Sequence, residues 1–138
     1  MEVFQESIHL KASKRGFTLI TSHIEALVQK SGITTGVAQI FIKHTSASLS
    51  INENADPSVR EDFESFFNDL ADDKTYYVHT YEGADDMPAH IKSSLLGASL
   101  SLPISRGSLA LGTWQGIYLG EHRDSPSKRE IVVTLMGV

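Results

Sequence analysis

The sequence predicts an α+β fold, a mainly antiparallel sheet with about three helices packed on one face, in a single domain spanning residues 1–138. Three observations lead there. Segments of strand-like composition outnumber helical ones, the last three strands are joined by short turns, and neither a repeat nor a linker interrupts the chain. With 138 residues, 41% of them apolar and 21% charged, one core suffices to bury roughly two-thirds of the unfolded surface.

Val3 to Leu10 and Phe17 to Ile20 read as strands separated by the turn-prone ASKRG. SHIEALVQKSG follows as a short amphipathic helix, with Ser22 and Glu25 spaced as a capping box and Gly32 as its stop. GVAQIFIKH is apolar on both parities, the pattern of a central strand covered on both faces, and it ends on His44. In the second helix Asp56 caps, Pro57 fits the first turn, and Val59, Phe63, Phe66, Phe67 and Leu70 form one stripe. KTYYVHTY reads as a strand carrying His79, EGADDM as a loop, and PAHIKSSLLG as a third helix carrying His90. ASLSLPIS, SLALGTWQGIYLGEHRD and REIVVTLMG complete the strands, with Pro103 confined to an edge or a bulge. Gly112, Gly116 and Gly120 recur every four residues on one face, which predicts close approach of a helix, a backbone or a ligand.

Composition restricts the chemistry. A formal charge of −5 with no run of Lys or Arg does not suit a nucleic-acid backbone binder. There is no cysteine, so thiolate nucleophiles, disulfides and Cys-based zinc sites are excluded, and any metal is held by His, carboxylate or other oxygen ligands. No basic segment precedes an apolar run at the N-terminus and no apolar tract approaches the roughly 18 residues of a membrane span, so a cytoplasmic protein without membrane contact is expected.

Of six histidines, His9 and His23 read as solvated, whereas His44, His79, His90 and His122 each lie at the end of an element or beside polar residues, where scaffolds expose working groups. Their spacing permits, without specifying, a zinc site with one open position. Glu53, flanked by Asn52 and Asn54, is an oriented carboxylate suited to a general base or a ligand. Asp85 and Asp86 precede a helix, where they complement its dipole or hold a hard cation such as Mg²⁺. Trp114 beside glycines offers a flat face to a planar heterocycle, Glu121, His122 and Arg123 share one strand end, and Arg123 and Lys92 suit an anionic group. KHTSASLSINENADP, too long and polar for a plain connector, reads as one wall of a pocket completed by EGADDMPAH and TWQGIYLGEH.

The segments HTSASLSINENADPSVREDFESFF, YEGADDMPAHIKSSLLG and LGTWQGIYLGEHRD, with REIVVTLMG in register, resemble the YjbQ family, also called the UPF0047 or secondary thiamine-phosphate synthase family. The resemblance implies an α+β homotrimer with a polar, histidine-bearing pocket at or near subunit contacts, binding a small molecule. It also implies the joining of hydroxymethylpyrimidine diphosphate to thiazole phosphate with release of pyrophosphate. His44, Glu53, Asn54, Asp56, His90, Trp114, Gln115 and Glu121 fall on the family's motif positions, and closer relatives share His79. Many members resemble CEFRD where this chain has GEHRD, so His122 is not a general feature.

Three functions are expected to compete. The first is that transferase, with His44, His90, Glu121 and Glu53 as catalytic groups and Asn54, His79, Trp114, Gln115, Lys92 and Arg123 binding substrate. The second is a Mg²⁺- or Zn²⁺-dependent hydrolase or lyase acting on a small phosphorylated or heterocyclic molecule, with His44, His90 and Glu121, or Asp85 and Asp86, as ligands. The third is a trimeric small-molecule or metal-binding module without turnover.

Overall fold

The eight strands pair, antiparallel throughout, into two sheets. The structure, a computed structural model, describes residues 1–138. The larger sheet has the order β1 (Glu2–Leu10), β8 (Arg129–Gly137), β3 (Gly36–Ile42), β5 (Ser99–Ser105), β6 (Ser108–Leu109). The smaller has the order β2 (Gly16–Leu19), β7 (Gln115–Glu121), β4 (Ala47–Glu53).

Strand alternation turns one face of each sheet toward the other. Ala38, Ile40 and Ile42 of β3 and Ile131, Val133 and Leu135 of β8 join Leu49, Ile117 and Leu119 of the small sheet in one buried cluster. Each such Ile or Leu is worth roughly 1.5–3 kcal/mol relative to exposure, so the interior between the sheets is the main source of stability. Ile24, Leu27 and Val28 of α1 (Thr21–Ser31) enter the same cluster, closing the edge between β6, β7 and β8. The other two helices, α2 (Pro57–Ala71) and α3 (Asp86–Leu96), lie against the small sheet. Phe63 meets Phe17 and Tyr118 edge-on, and Ser93 Oγ donates to the Ala47 carbonyl.

Several local expectations need correction. KTYYVHTY forms no strand: it runs past the C-terminus of α2 with no neighbouring strand to pair with, held by Tyr77, whose hydroxyl donates to the Ala71 carbonyl. Conversely, the middle of KHTSASLSINENADP is β4, an edge strand rather than a connector. The capping box does not form, because Glu25 accepts from the Leu109 N–H and Thr21 from the Ile117 N–H. β3 is central but covered on one face only, with Val37 and Phe41 open on the other. The third helix starts at Asp86, two residues before Pro88. Gly116 and Gly120 do sit in close quarters, filled by side chains: a Cβ would lie 2.7 Å from Leu19 Cδ2 at Gly116 and 2.9 Å from the His122 ring at Gly120.

Candidate functional site

Starting α3 at Asp86 puts Asp86 and His90 one turn apart on the same face. The loop between α2 and α3 then lays His79 beside them. His79 Nε2 and His90 Nε2 lie 2.7 and 3.1 Å from Asp86 Oδ2, and one ligand atom from each residue falls within 4.8 Å of the others. Asp86 is buried, while both imidazoles reach solvent. Burial alone would raise the Asp86 pKa; the His79 hydrogen bond and the His90 and Arg123 charges outweigh it and hold the carboxyl below its ordinary range.

Hydrogen-bond polarity decides what this cluster wants. His90 Nδ1 faces the Thr45 carbonyl at 2.9 Å, so it must carry a proton. A neutral His90 would therefore turn a bare Nε2 lone pair toward the Asp86 Oδ2 that His79 also approaches. Two acceptors facing each other need a proton or a cation between them. An imidazole with its far nitrogen on a backbone carbonyl, beside a carboxylate pinned by Arg123, is the outer-shell arrangement that orients metal ligands.

Arg123 is committed to that pinning. Its Nε donates to Asp85 Oδ2 at 2.9 Å, one terminal nitrogen to Asp86 Oδ1 at 2.8 Å and the other to the Glu82 carbonyl. It is a positioning residue rather than a substrate clamp. Asp85, which also accepts from the Asp124 N–H, is an ion-pair partner outside the cluster, contrary to its expected role as a ligand.

His44 and Glu121 stand apart from this cluster, around Arg129. Glu121 is fully buried; it accepts from Arg129 Nε at 2.9 Å and from a terminal Arg129 nitrogen, and from the Arg123 and Ser127 N–H groups. His44 Nε2 accepts from the Glu130 N–H at 2.8 Å, and burial followed by the Arg129 charge lowers its pKa. Both expected ligands are thus spent on joining β7 and β3 to the start of β8. Lys92 is likewise no substrate contact: it is buried, with Nζ on Asn68 Oδ1 at 2.7 Å and Asp72 Oδ1 at 2.8 Å, where Arg15 also donates. Arg129 and Arg15 went unnoticed in the sequence. The one available signal was a cation opening an otherwise apolar strand, at Arg129.

At the other end of β4, Glu53 Oε2 accepts from the Ala55 and Asp56 N–H groups, and Asp56 caps α2 through the Ser58 N–H. Asn54 donates to three successive carbonyls, those of Thr113, Trp114 and Gln115, fixing the turn that carries Trp114 into solvent. Glu53, Trp114 and Gln115 line a shallow hollow of about 230 Å³ with Ile51 and Asn52. A further cavity, about 360 Å³ between the β1–β2 turn and the start of α2, contains none of the residues singled out as sites; its Arg15 is already paired with Glu64 and two aspartates. The single pocket expected from three segments is therefore two places. His90 is tied to Thr45, just before β4, and Glu53 ends β4, a strand of seven residues and about 20 Å.

The model of the UPF0047 protein YjbQ-like family matches residues 6–138. The UPF0047 protein YjbQ of Escherichia coli O157:H7 is 50% identical over 135 residues, covering 97% of this chain and 98% of its own. The UPF0047 protein YugU of Bacillus subtilis is 40% identical over 133 residues, covering 96% of this chain and 98% of its own. A crystal structure from Sulfolobus solfataricus P2, described as a YbjQ-like protein of unknown function, superposes with a TM-score of 0.90 at 29% identity over 99% of both chains. One from Clostridium acetobutylicum, described as an uncharacterized conserved protein of the yjbq/upf0047 family, gives 0.86 at 39% identity over 95% of this chain and 99% of its own. Near-complete coverage at these identities, with the same fold, means that the chain belongs to the YjbQ-like UPF0047 family.

Proposed function

We infer that the protein is a divalent-metal-dependent hydrolase or lyase acting on a small molecule, with His79, Asp86 and His90 as the ligands. The observation that carries this reading is the contact of His90 Nε2 with Asp86 Oδ2, two facing acceptors whenever the imidazole is neutral, held in place by the Thr45 carbonyl and Arg123. Two imidazoles and one carboxylate favour Zn²⁺ or a neighbouring transition metal over Mg²⁺, and three protein ligands leave an open position. A metal so held supplies Lewis acidity and a water acidified toward neutral pH. Asp86, buried and anchored, fixes the geometry; His79, on the exposed loop, borders the solvent side.

Zinc titrated into chelator-treated protein is expected to bind one ion per chain. Binding is expected to weaken in acid, because an imidazole ligates a metal only through a nitrogen that carries no proton. His90→Ala is expected to weaken binding by about 100-fold or more. Binding of equal strength in His90→Ala and wild type would remove the reading.

Formation of thiamine phosphate, implied by the family resemblance, is the second reading, favoured by the exposed Trp114 face. Lys92 and Arg123, the cations suited to its anionic groups, are bound to carboxylates of the chain itself, which weighs against it. Incubating the metal-loaded protein with the two precursors separates the cases: product that disappears in His90→Ala supports a synthase at this centre. Metal binding with no turnover of any tested phosphoester or heterocycle would leave a binding module. The homotrimer is retained as a proposal, supported by the open apolar side chains Val3, Val37, Phe41 and Met136 on the outer face of the large sheet.

A further inference from the structure

We propose that the hollow between Glu53 and Trp114 is a second binding site, built for a planar organic cation such as an amidinium or a protonated nitrogen heterocycle. It does not rest on the metal reading, since it lies at the opposite end of β4 from His90.

The carboxylate is held without being used up. Both N–H bonds from Ala55 and Asp56 fall on Glu53 Oε2, at 2.8 and 2.9 Å, which fixes the group and leaves Oε1 for a ligand. The Glu53 carbonyl accepts from the Tyr118 hydroxyl, so the backbone beneath is anchored as well. No Lys or Arg lines the hollow to compete for the carboxylate.

The turn that carries the aromatic wall is held as well. Trp114 is 64% exposed, an unfavourable position for the chain's single tryptophan unless a partner covers it. Its turn is nevertheless rigid: Asn54 bonds the carbonyls of residues 113 to 115, and Gln115 Oε1 accepts from the Gly112 N–H at 2.8 Å. An indole carried on a hydrogen-bonded turn beside an anchored carboxylate attracts a flat cation twice, through the ring quadrupole and through a charge-assisted hydrogen bond. Neutral planar molecules gain only the stacking, and compact ammonium ions lack the flat contact with the ring.

Trp114 is its own reporter, because no other tryptophan contributes to the fluorescence. Benzamidine, a planar cation at neutral pH, is expected to change that emission saturably, and its neutral analogue benzamide to bind about tenfold more weakly or worse. Glu53→Gln keeps an oxygen for the Ala55 and Asp56 N–H groups while replacing the free acceptor by a donor. It is expected to melt like wild type and to lose at least about tenfold in benzamidine affinity. Equal response to benzamide and benzamidine, or unchanged affinity in Glu53→Gln, overturns the proposal. Running the titration with and without zinc keeps it distinct from the metal reading: the benzamidine response is expected to be the same in both, and to persist in His90→Ala.

Discussion

Glu121→Ala is expected to destabilise the protein by about 3–5 kcal/mol, the usual effect of removing one partner from a buried ion pair. The guanidinium of Arg129 is nearly as buried as the carboxylate it meets and would keep its charge with no acid beside it. The Arg123 and Ser127 N–H groups would lose their acceptor as well. Against a typical total of about 5–15 kcal/mol, such a loss leaves a substantial unfolded fraction. Urea unfolding at neutral pH measures it. If Glu121 were instead a catalytic group, the variant would unfold like wild type and lose only turnover. Replacing both partners, as in Glu121→Leu with Arg129→Met, is expected to recover much of the stability, because two apolar side chains leave no orphaned charge. A single variant as stable as wild type would show that the pair does not hold β7 to β8.

Acid is expected to weaken the fold well above the range where carboxylates titrate. His122 is buried in this chain, with Nε2 2.8 Å from Ser48 Oγ and Nδ1 unpartnered. Burial, reinforced by the Lys92, Arg15 and Arg129 charges, lowers its pKa to about 3. An unfolded histidine titrates near 6.5, so between these values the unfolded chain binds a proton that the folded one refuses. The stabilising effect of a neutral His122 is thus complete above the unfolded value and is lost as pH falls. At about 1.4 kcal/mol per pH unit, the loss from this one group reaches about 2 kcal/mol by pH 5. His122→Phe, which puts an aromatic ring without a titrating group in the same place, removes that contribution and flattens the slope of urea midpoint against pH. Its stability at pH 7.5 is expected to change by only about 1 kcal/mol, through the lost Ser48 bond. Equal slopes in variant and wild type would assign the acid sensitivity elsewhere. Gly120 belongs to the same arrangement: a Cβ there would collide with Ser48 Oγ and lie 2.9 Å from the imidazole, so a side chain at 120 would displace the Ser48–His122 pair.

Local order was the legible part of the fold. Asp56, Pro57 and the apolar stripe behind them announced α2, and runs of strand-like composition announced β1, β3, β5 and β8, because capping bonds and local preferences act over a few residues. KTYYVHTY failed for the same reason. Its composition suits a strand, but a strand needs an edge to pair with, and none is nearby. The site was legible to a similar depth. Asp86 and His90 were recognised as candidate ligands from their residue types, and their spacing of four would have joined them had the helix been started two residues earlier.

What the sequence determined by itself was the inventory: no thiolate, several imidazoles, carboxylates at element ends, one tryptophan and the antiparallel α+β class. Which of these groups remain free for chemistry was decided only by tertiary structure. Lys92, Arg123 and His44 have the same functional groups as residues that do chemistry, yet each meets a partner distant in sequence that uses up its bonding capacity, and Glu121 is used up in the same way by Arg129 across the β7–β8 turn. Asp86, His79 and His90, by contrast, are brought together with their donors and acceptors mismatched, and Glu53 keeps one oxygen without a partner. The physical reason is that a side chain's availability depends on burial and on long-range pairing. Those follow from how the two sheets and the helices close on one another, and no window along the chain contains them.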